Sequence, residues 1–406
     1  MNLSYFISKR ISSGPKEGFS SIIHRIALIS IAVGLAASLI SFLIMKGFQG
    51  TVKNKIYGFS GHLLVTRFSM SNSQEEQPFN YHIDLYDNTD AYPMVRHVQE
   101  FAHKVGVVKT DDEVFGMFIK GVGKSFDTAS FKGNIIHGRF IHFPDSGYAN
   151  EIVLSNIISN KLKVNVGDDI LVHFFQNPPR FRKLTVTGIY ETNLSEYFDS
   201  KVALGDIRLI QRLEDWSDSL AGGLEVFVSD PAMAERAAEV IGENMDYDLN
   251  IELISNRYIQ IFEWLNLLSR QVNILLIIIL TVVCVNMISI VLILVMERTQ
   301  MIGLLKAVGA TNGMIRSVFF YNGVSLVLKG LLLGNVLGLG MCFLQDKFKL
   351  IRLNPADYYM EFVPIAWHWD IIIALNVLTL FIVSIVLLLP TTAITSITPI
   401  RSIKFD

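Results

Sequence analysis

The chain has 406 residues, a formal net charge of -2, 51% hydrophobic content and two cysteines, with a mean hydropathy of +0.41. A near-neutral charge gives no basic field for nucleic acid, and apolar residues gathered into four blocks exclude an ordinary soluble protein. Both cysteines, Cys284 and Cys342, fall inside those blocks, so no disulfide staples the polar part of the chain.

Taken in order, residues 1–25 form a basic N-terminal segment. Leu3, Phe6, Ile7 and Ile11 with Lys9 and Arg10 predict an interfacial helix there. The first block, 26–46, is long enough to cross a bilayer and lacks a small-x-small cleavage site, so it reads as a retained span rather than a signal. Residues 47–270 have mixed composition and suffice for a folded domain. Strand-like runs recur at His62–Thr66, Phe115–Ile119, Ile152–Leu154, Asp169–Phe175, Lys183–Tyr190 and Leu224–Ser229. Helical patterns start at Asp230-Pro231 and cover Asn156–Leu162, so the domain is mixed α+β. Ser69–Pro78 reads as an exposed loop.

Enzyme signatures fail on spacing. Gly121–Ser125 resembles the end of a phosphate-binding loop, but Phe118 stands where that motif needs glycine. H-E-x-x-H, G-x-S-x-G and C-x-x-C are absent, and His137 and His142 fit no common metal-ligand pattern. No metal site and no cofactor bound by this chain is expected.

Further spans follow at 271–296, 317–344 and 371–389, separated by a loop at 297–316 and another at 345–370, with a tail at 390–406. Glu297–Gly309 predicts a short amphipathic helix: Met301, Leu304, Leu305 and Val308 recur on one face, Glu297, Arg298, Gln300 and Lys306 fall largely on others, and Gly309 ends it. A helix tied to two spans either simply connects them or transmits to them the force of a soluble partner. Gly330, Gly334 and Gly338 permit close packing of the third span, Asn286 and Asn376 suit interhelical hydrogen bonds, and Lys329 is a charge within a span. Lysines and arginines near span ends (Lys9, Arg10, Lys16 and Arg25; Arg298, Lys306 and Arg316; Arg401 and Lys404) place both termini and the 297–316 loop in the cytoplasm. In the 345–370 loop, acidic residues offset Lys347, Lys349 and Arg352. The large domain is then on the outer side.

Met296–Thr311 resembles the coupling region of the FtsX-like permease family, in particular its LolC/LolE branch. The likeness extends to Ser30–Gly34, Met45–Gln49, His62 and Gly330–Asn335, to Leu353–Tyr359 with Pro364, and to Leu389-Pro390, Ala393, Pro399 and Arg401. In the outer domain it covers Ile119–Val122, Leu162–Asp168 and Val186–Tyr190. It implies four transmembrane helices with a MacB-like periplasmic α+β domain between the first two, in a bacterial inner membrane. It also implies a permease subunit of an ABC transporter that releases outer-membrane lipoproteins, without an ATPase site of its own. ATP and Mg would be used by a dimer of a partner ATPase, coupled through Glu297, Arg298, Met301, Ile302, Gly303, Leu304, Leu305, Lys306, Ala307 and Gly309.

A second permease chain, identical or different, would complete a cavity for membrane lipid and lipoprotein cargo, with candidates Leu39, Phe42, Leu43 and Phe48 in the first span and Ile274, Ile278 and Val282 in the second. Exposing a three-chain anchor, on the order of 40 methylenes at about 0.8 kcal/mol each, would cost up to ~30 kcal/mol, which requires a driven machine. A periplasmic chaperone would meet the hairpin Phe175–Arg182 through Gln176, Pro178, Pro179, Arg180 and Arg182, although this hairpin is short for that role. Alternatives of the same architecture are an FtsX-like subunit acting on a periplasmic partner and a MacB-like exporter.

Overall fold

A computed structural model describes residues 19–69, 75–109 and 114–392; the expected interfacial helix, the tail motif from Ala393 onward and residues 70–74 of the Ser69–Pro78 loop lie outside the described residues. The chain divides into two compact units. One comprises Met1–Gly50, Trp264–Arg352 and Phe362–Asp406, and the other Thr51–Glu263 with Leu353–Glu361.

The first is a helical unit. Among the described residues four helices are long and apolar enough to cross a membrane: Phe19–Ser60, Ile259–Glu297, Asn312–Phe348 and Trp369–Val386, the last continued by a short turn. The first outruns its apolar block because no proline or cap stops it before Gly61, whose φ of +72° suits the left-handed turn that ends a helix. Ile31, Leu35, Leu39, Val283, Met287, Phe319, Val327, Leu375 and Val383 share one core drawn from all four helices. The glycine ladder works by contact: a Cβ at Gly330 would sit 2.8 Å from Ile31, one at Gly334 2.8 Å from the Ala32 carbonyl oxygen, and one at Gly338 3.0 Å from Ala36 Cα. Neutral amides join the helices. Asn335 and Asn376 exchange hydrogen bonds at 2.7 and 3.0 Å, and Asn286 donates to Ser30 Oγ at 2.7 Å.

The second is a sheet unit. Its strands are β1 (Leu63–Arg67), β2 (Phe79–Asn80), β3 (Val95–Lys109), β4 (Val114–Val122), β5 (Ile135–Gly138), β6 (Glu151–Ser155), β7 (Asp169–Phe174), β8 (Arg180–Tyr190), β9 (Val202–Asp206), β10 (Leu220–Ala221), β11 (Gly223–Val228) and β12 (Leu249–Leu253). The main sheet runs β12-β1-β11-β3-β4-β9-β6-β8-β5, and β7 pairs with both β3 and β8. Pairing therefore closes on itself through β3, β4, β9, β6, β8 and β7, around a core that includes Ile119, Leu154, Ile170, Phe174, Leu184 and Val186.

The open part of the sheet has a separate core. Leu63, Val65, Leu224 and Val226 pack there with Ala237 and Ile241 of the helix Ala234–Glu243. That helix follows a turn capped by Asp230, whose side chain accepts from the Ala232 amide. The long strand β3 belongs to both parts, pairing β11 through Val95–Phe101 and β7 at Val107 and Val108.

Candidate functional site

The short helix between the second and third spanning helices runs Thr299–Ala307. Gly309, with φ +95°, ends it, and Thr311 Oγ1 caps the next helix by accepting from the Met314 amide at 3.3 Å. Its buried face differs from the expected stripe. Ile302 and Gly303 are buried, Ile302 within the bundle core, while Met301 and Leu305 are half-buried against that core. Leu304 is 61% and Val308 82% exposed. The stripe is split because packing centres one residue away, on Ile302. What remains outside is an apolar pair four residues apart, beside exposed Glu297, Arg298, Ala307 and Gly309 and half-buried Lys306.

The polar residues of the β7–β8 hairpin are engaged within the domain. Arg180 donates to the Leu213 carbonyl at 2.7 Å and to Asp215 Oδ2 at 2.7 Å, and the Gln176 amide donates to the Leu213 carbonyl at 2.9 Å. These side chains fasten the turn to the end of the helix Ile207–Leu213, and Arg182 donates to the neighbouring Phe181 carbonyl. Pro178 and Pro179 are exposed. So are two aromatics the sequence reading left out, Phe175 at 75% and Phe181 at 63%. Alternation along the strands gives the signal for them: in β7 Ile170, Val172 and Phe174 point inward, which turns Phe175 out.

The cavity candidates are not brought together. Leu39 and Leu43 are fully buried in the bundle core, Phe42 packs against it, and Phe48 meets Trp264 edge-on at 5.5 Å. Ile274, Ile278 and Val282 instead lie on an exposed helix face. Buried positions become a lining only if the helices separate.

The sheet unit holds a polar cluster that no sequence motif announced. Lys120 of β4 and Glu225 of β11 pair at 2.7 Å with side chains 1% and 3% exposed. Lys120 also donates to the Phe59 carbonyl at 2.6 Å, and Gln99 donates to the other Glu225 oxygen at 2.8 Å. Lysine thus satisfies a carbonyl in the last turn of the first long helix, which a helix end cannot satisfy itself. Four residues earlier, Lys55 donates to the Thr192 and Tyr359 carbonyls at 2.7 and 2.8 Å. Nearby His62 stacks on Tyr57 at 4.3 Å and accepts from the Val228 amide through Nδ1 at 3.3 Å. Burial, helped by Arg96, lowers the His62 pKa to about 4. Among the described residues no group of three or more His, Cys, Asp or Glu could hold a metal.

Comparison with known proteins fits both units. A model of the FtsX-like permease C-terminal matches residues 273–399, and one of the MacB-like periplasmic core domain matches residues 26–243. The chain belongs to the FtsX-like permeases with a MacB-like periplasmic core. The permease is 24% identical over 394 residues to the lipoprotein-releasing system transmembrane protein LolE of Haemophilus influenzae, with 92% of this chain and 93% of that one covered. LolC of the same organism is 22% identical over 350 residues, covering 79% of each. Among solved structures, the periplasmic region of MacB from Actinobacillus actinomycetemcomitans aligns at 14% identity and a TM-score of 0.34, over 52% of this permease and 98% of that chain. The permease is thus a membrane protein with four candidate transmembrane helices and a periplasmic α+β domain between the first two.

Proposed function

We propose that this permease is the membrane subunit of an ABC complex that extracts outer-membrane lipoproteins from the inner membrane and passes them to a periplasmic chaperone. The likeness to LolE and LolC over most of the chain supports the cargo class. The observation that carries the mechanism is the exposed Leu304–Val308 pair on a helix whose other face is locked into the bundle through Ile302. An apolar pair beside the charges of Glu297 and Arg298 suits a groove on a cytoplasmic ATPase. Load on that face reaches both adjoining spans through short connections, the second of them capped by Thr311. ATP and Mg are assigned to the ATPase dimer, and a second permease chain, identical or different, completes the complex.

Lipid chains enter by parting the first helix from its neighbours, which would expose Leu39 and Leu43 beside Ile278 and Val282. Chaperone contact at the β7–β8 hairpin runs through Phe175, Phe181 and the two prolines, since Arg180 and Gln176 are engaged within the domain. Depletion of the permease followed by membrane fractionation tests the reading. Outer-membrane lipoproteins should accumulate in the inner membrane. Normal sorting with a division defect would favour the FtsX-like alternative, and normal sorting with loss of efflux the MacB-like one.

A further inference from the structure

Lys329 lies in the third spanning helix, and the register of that helix fixes its depth. The Gln49 amide donates to the Leu265 carbonyl at 2.8 Å, the Ala366 amide to the Leu43 carbonyl at 3.2 Å, and the Trp367 indole to Asp346 at 2.9 Å. These bonds bring Lys46, Arg270, Asp346 and Trp367 to one polar rim. Lys329 precedes Asp346 by 17 positions, which is about 25 Å along a helix rising 1.5 Å per residue. Measured instead from Asp370 through the Asn335–Asn376 pair, the depth is about 18 Å. In an apolar core about 30 Å thick, both routes put its Cα in the far half, roughly 5 to 12 Å from the opposite boundary. Contact of Gly330 with Ile31 agrees, because Arg25 marks that boundary about 9 Å beyond Ile31.

The side chain is exposed, between the exposed Leu328 at 50% and Leu332 at 69%, with Val336 at 62% further along. No acceptor within the described residues takes a bond from its ammonium group. The apolar segments 26–45, 271–296, 317–344 and 371–389 contain no Asp or Glu, so a second copy of this chain brings no carboxylate at that depth. A lysine facing hydrocarbon instead extends its stem toward the headgroups.

We propose that Lys329 is a phospholipid site: its ammonium binds the phosphate of an anionic phospholipid in the leaflet on the Arg25 side, whose chains lie along Leu328, Leu332 and Val336. The site would hold the third helix at a fixed depth while its neighbours move.

The full chain, reconstituted in vesicles of equal phosphatidylglycerol and phosphatidylcholine, tests this by native mass spectrometry of retained lipid. Wild type and Lys329→Arg should prefer phosphatidylglycerol, and Lys329→Gln should reduce that preference roughly fivefold, the effect of one cation near an anionic surface. Retention unchanged in Lys329→Gln would overturn the site, as would loss in Lys329→Arg equal to that in Lys329→Gln. Circular dichroism of each variant separates loss of lipid from loss of fold.

Discussion

In the periplasmic domain Lys120 and Glu225 are buried as a charged pair around a helix-terminal carbonyl, whereas the helical unit joins its spans with neutral amides and bare glycine contacts. Among the described residues no ion pair is buried in the helical unit. The difference follows from what each unit is taken out of. A domain that unfolds into water regains full solvation of its charges, so breaking one partner of a buried pair is expensive. Helices that separate within lipid find other partners, and each amide pair contributes little. Packing at the glycines must then carry the specificity.

The sharpest break of that contrast is Glu225→Ala, which strands the Lys120 ammonium and should destabilise the periplasmic domain by about 3–5 kcal/mol. Hydrogen exchange of β4 and β11 amides in the full chain would read it. The joint change Lys120→Met with Glu225→Leu should recover most of the loss, because it removes both charges.

His62 sharpens the comparison from the neutral side. Its folded pKa of about 4 lies below the ordinary value of 6.5, so between those values the unfolded chain binds more protons. Stability is complete above pH 6.5 and falls as the pH drops to about 4, by about 3 kcal/mol, then stays level with respect to this group. Denaturation of the domain across that range should show the fall, and His62→Asn should flatten it.

Smaller effects are expected in the helical unit. Gly334→Val forces a side chain against the Ala32 carbonyl, at a cost of about 2 kcal/mol, while Gly340→Ala faces open space and should be close to neutral. Thermal unfolding in detergent distinguishes them. Asn376→Leu, which breaks the amide pair with Asn335, should cost only about 1 kcal/mol by the same measurement.

Spans were legible because the bilayer demands uninterrupted apolar runs, β6 and β11 because they are short apolar runs buried along their length, and β8 because its first half alternates. The longest strand, β3, escaped notice since it carries Gln99, Glu100 and Lys104 into buried positions, where each is satisfied by a distant residue. Glu225 is 126 positions from Gln99, and nothing local predicts the pairing. The short helix Thr299–Ala307 was legible as an element. Its facing was not, because periodicity offers a stripe while neighbouring helices choose which part of it to bury, here the part around Ile302. The partners of Arg180 were illegible for a related reason: its acceptors, the Leu213 carbonyl and Asp215, lie more than thirty positions away at the end of another helix.

The most direct test is isolation of the complex in mild detergent with and without Leu304→Asp, followed by ATP hydrolysis measured on the purified material. Wild type should co-isolate an ATPase, and the variant should insert normally but lose that partner and its activity. Full recovery of ATPase with the variant, or a wild-type preparation that contains none, would contradict the assignment of Leu304 and Val308 as the docking face.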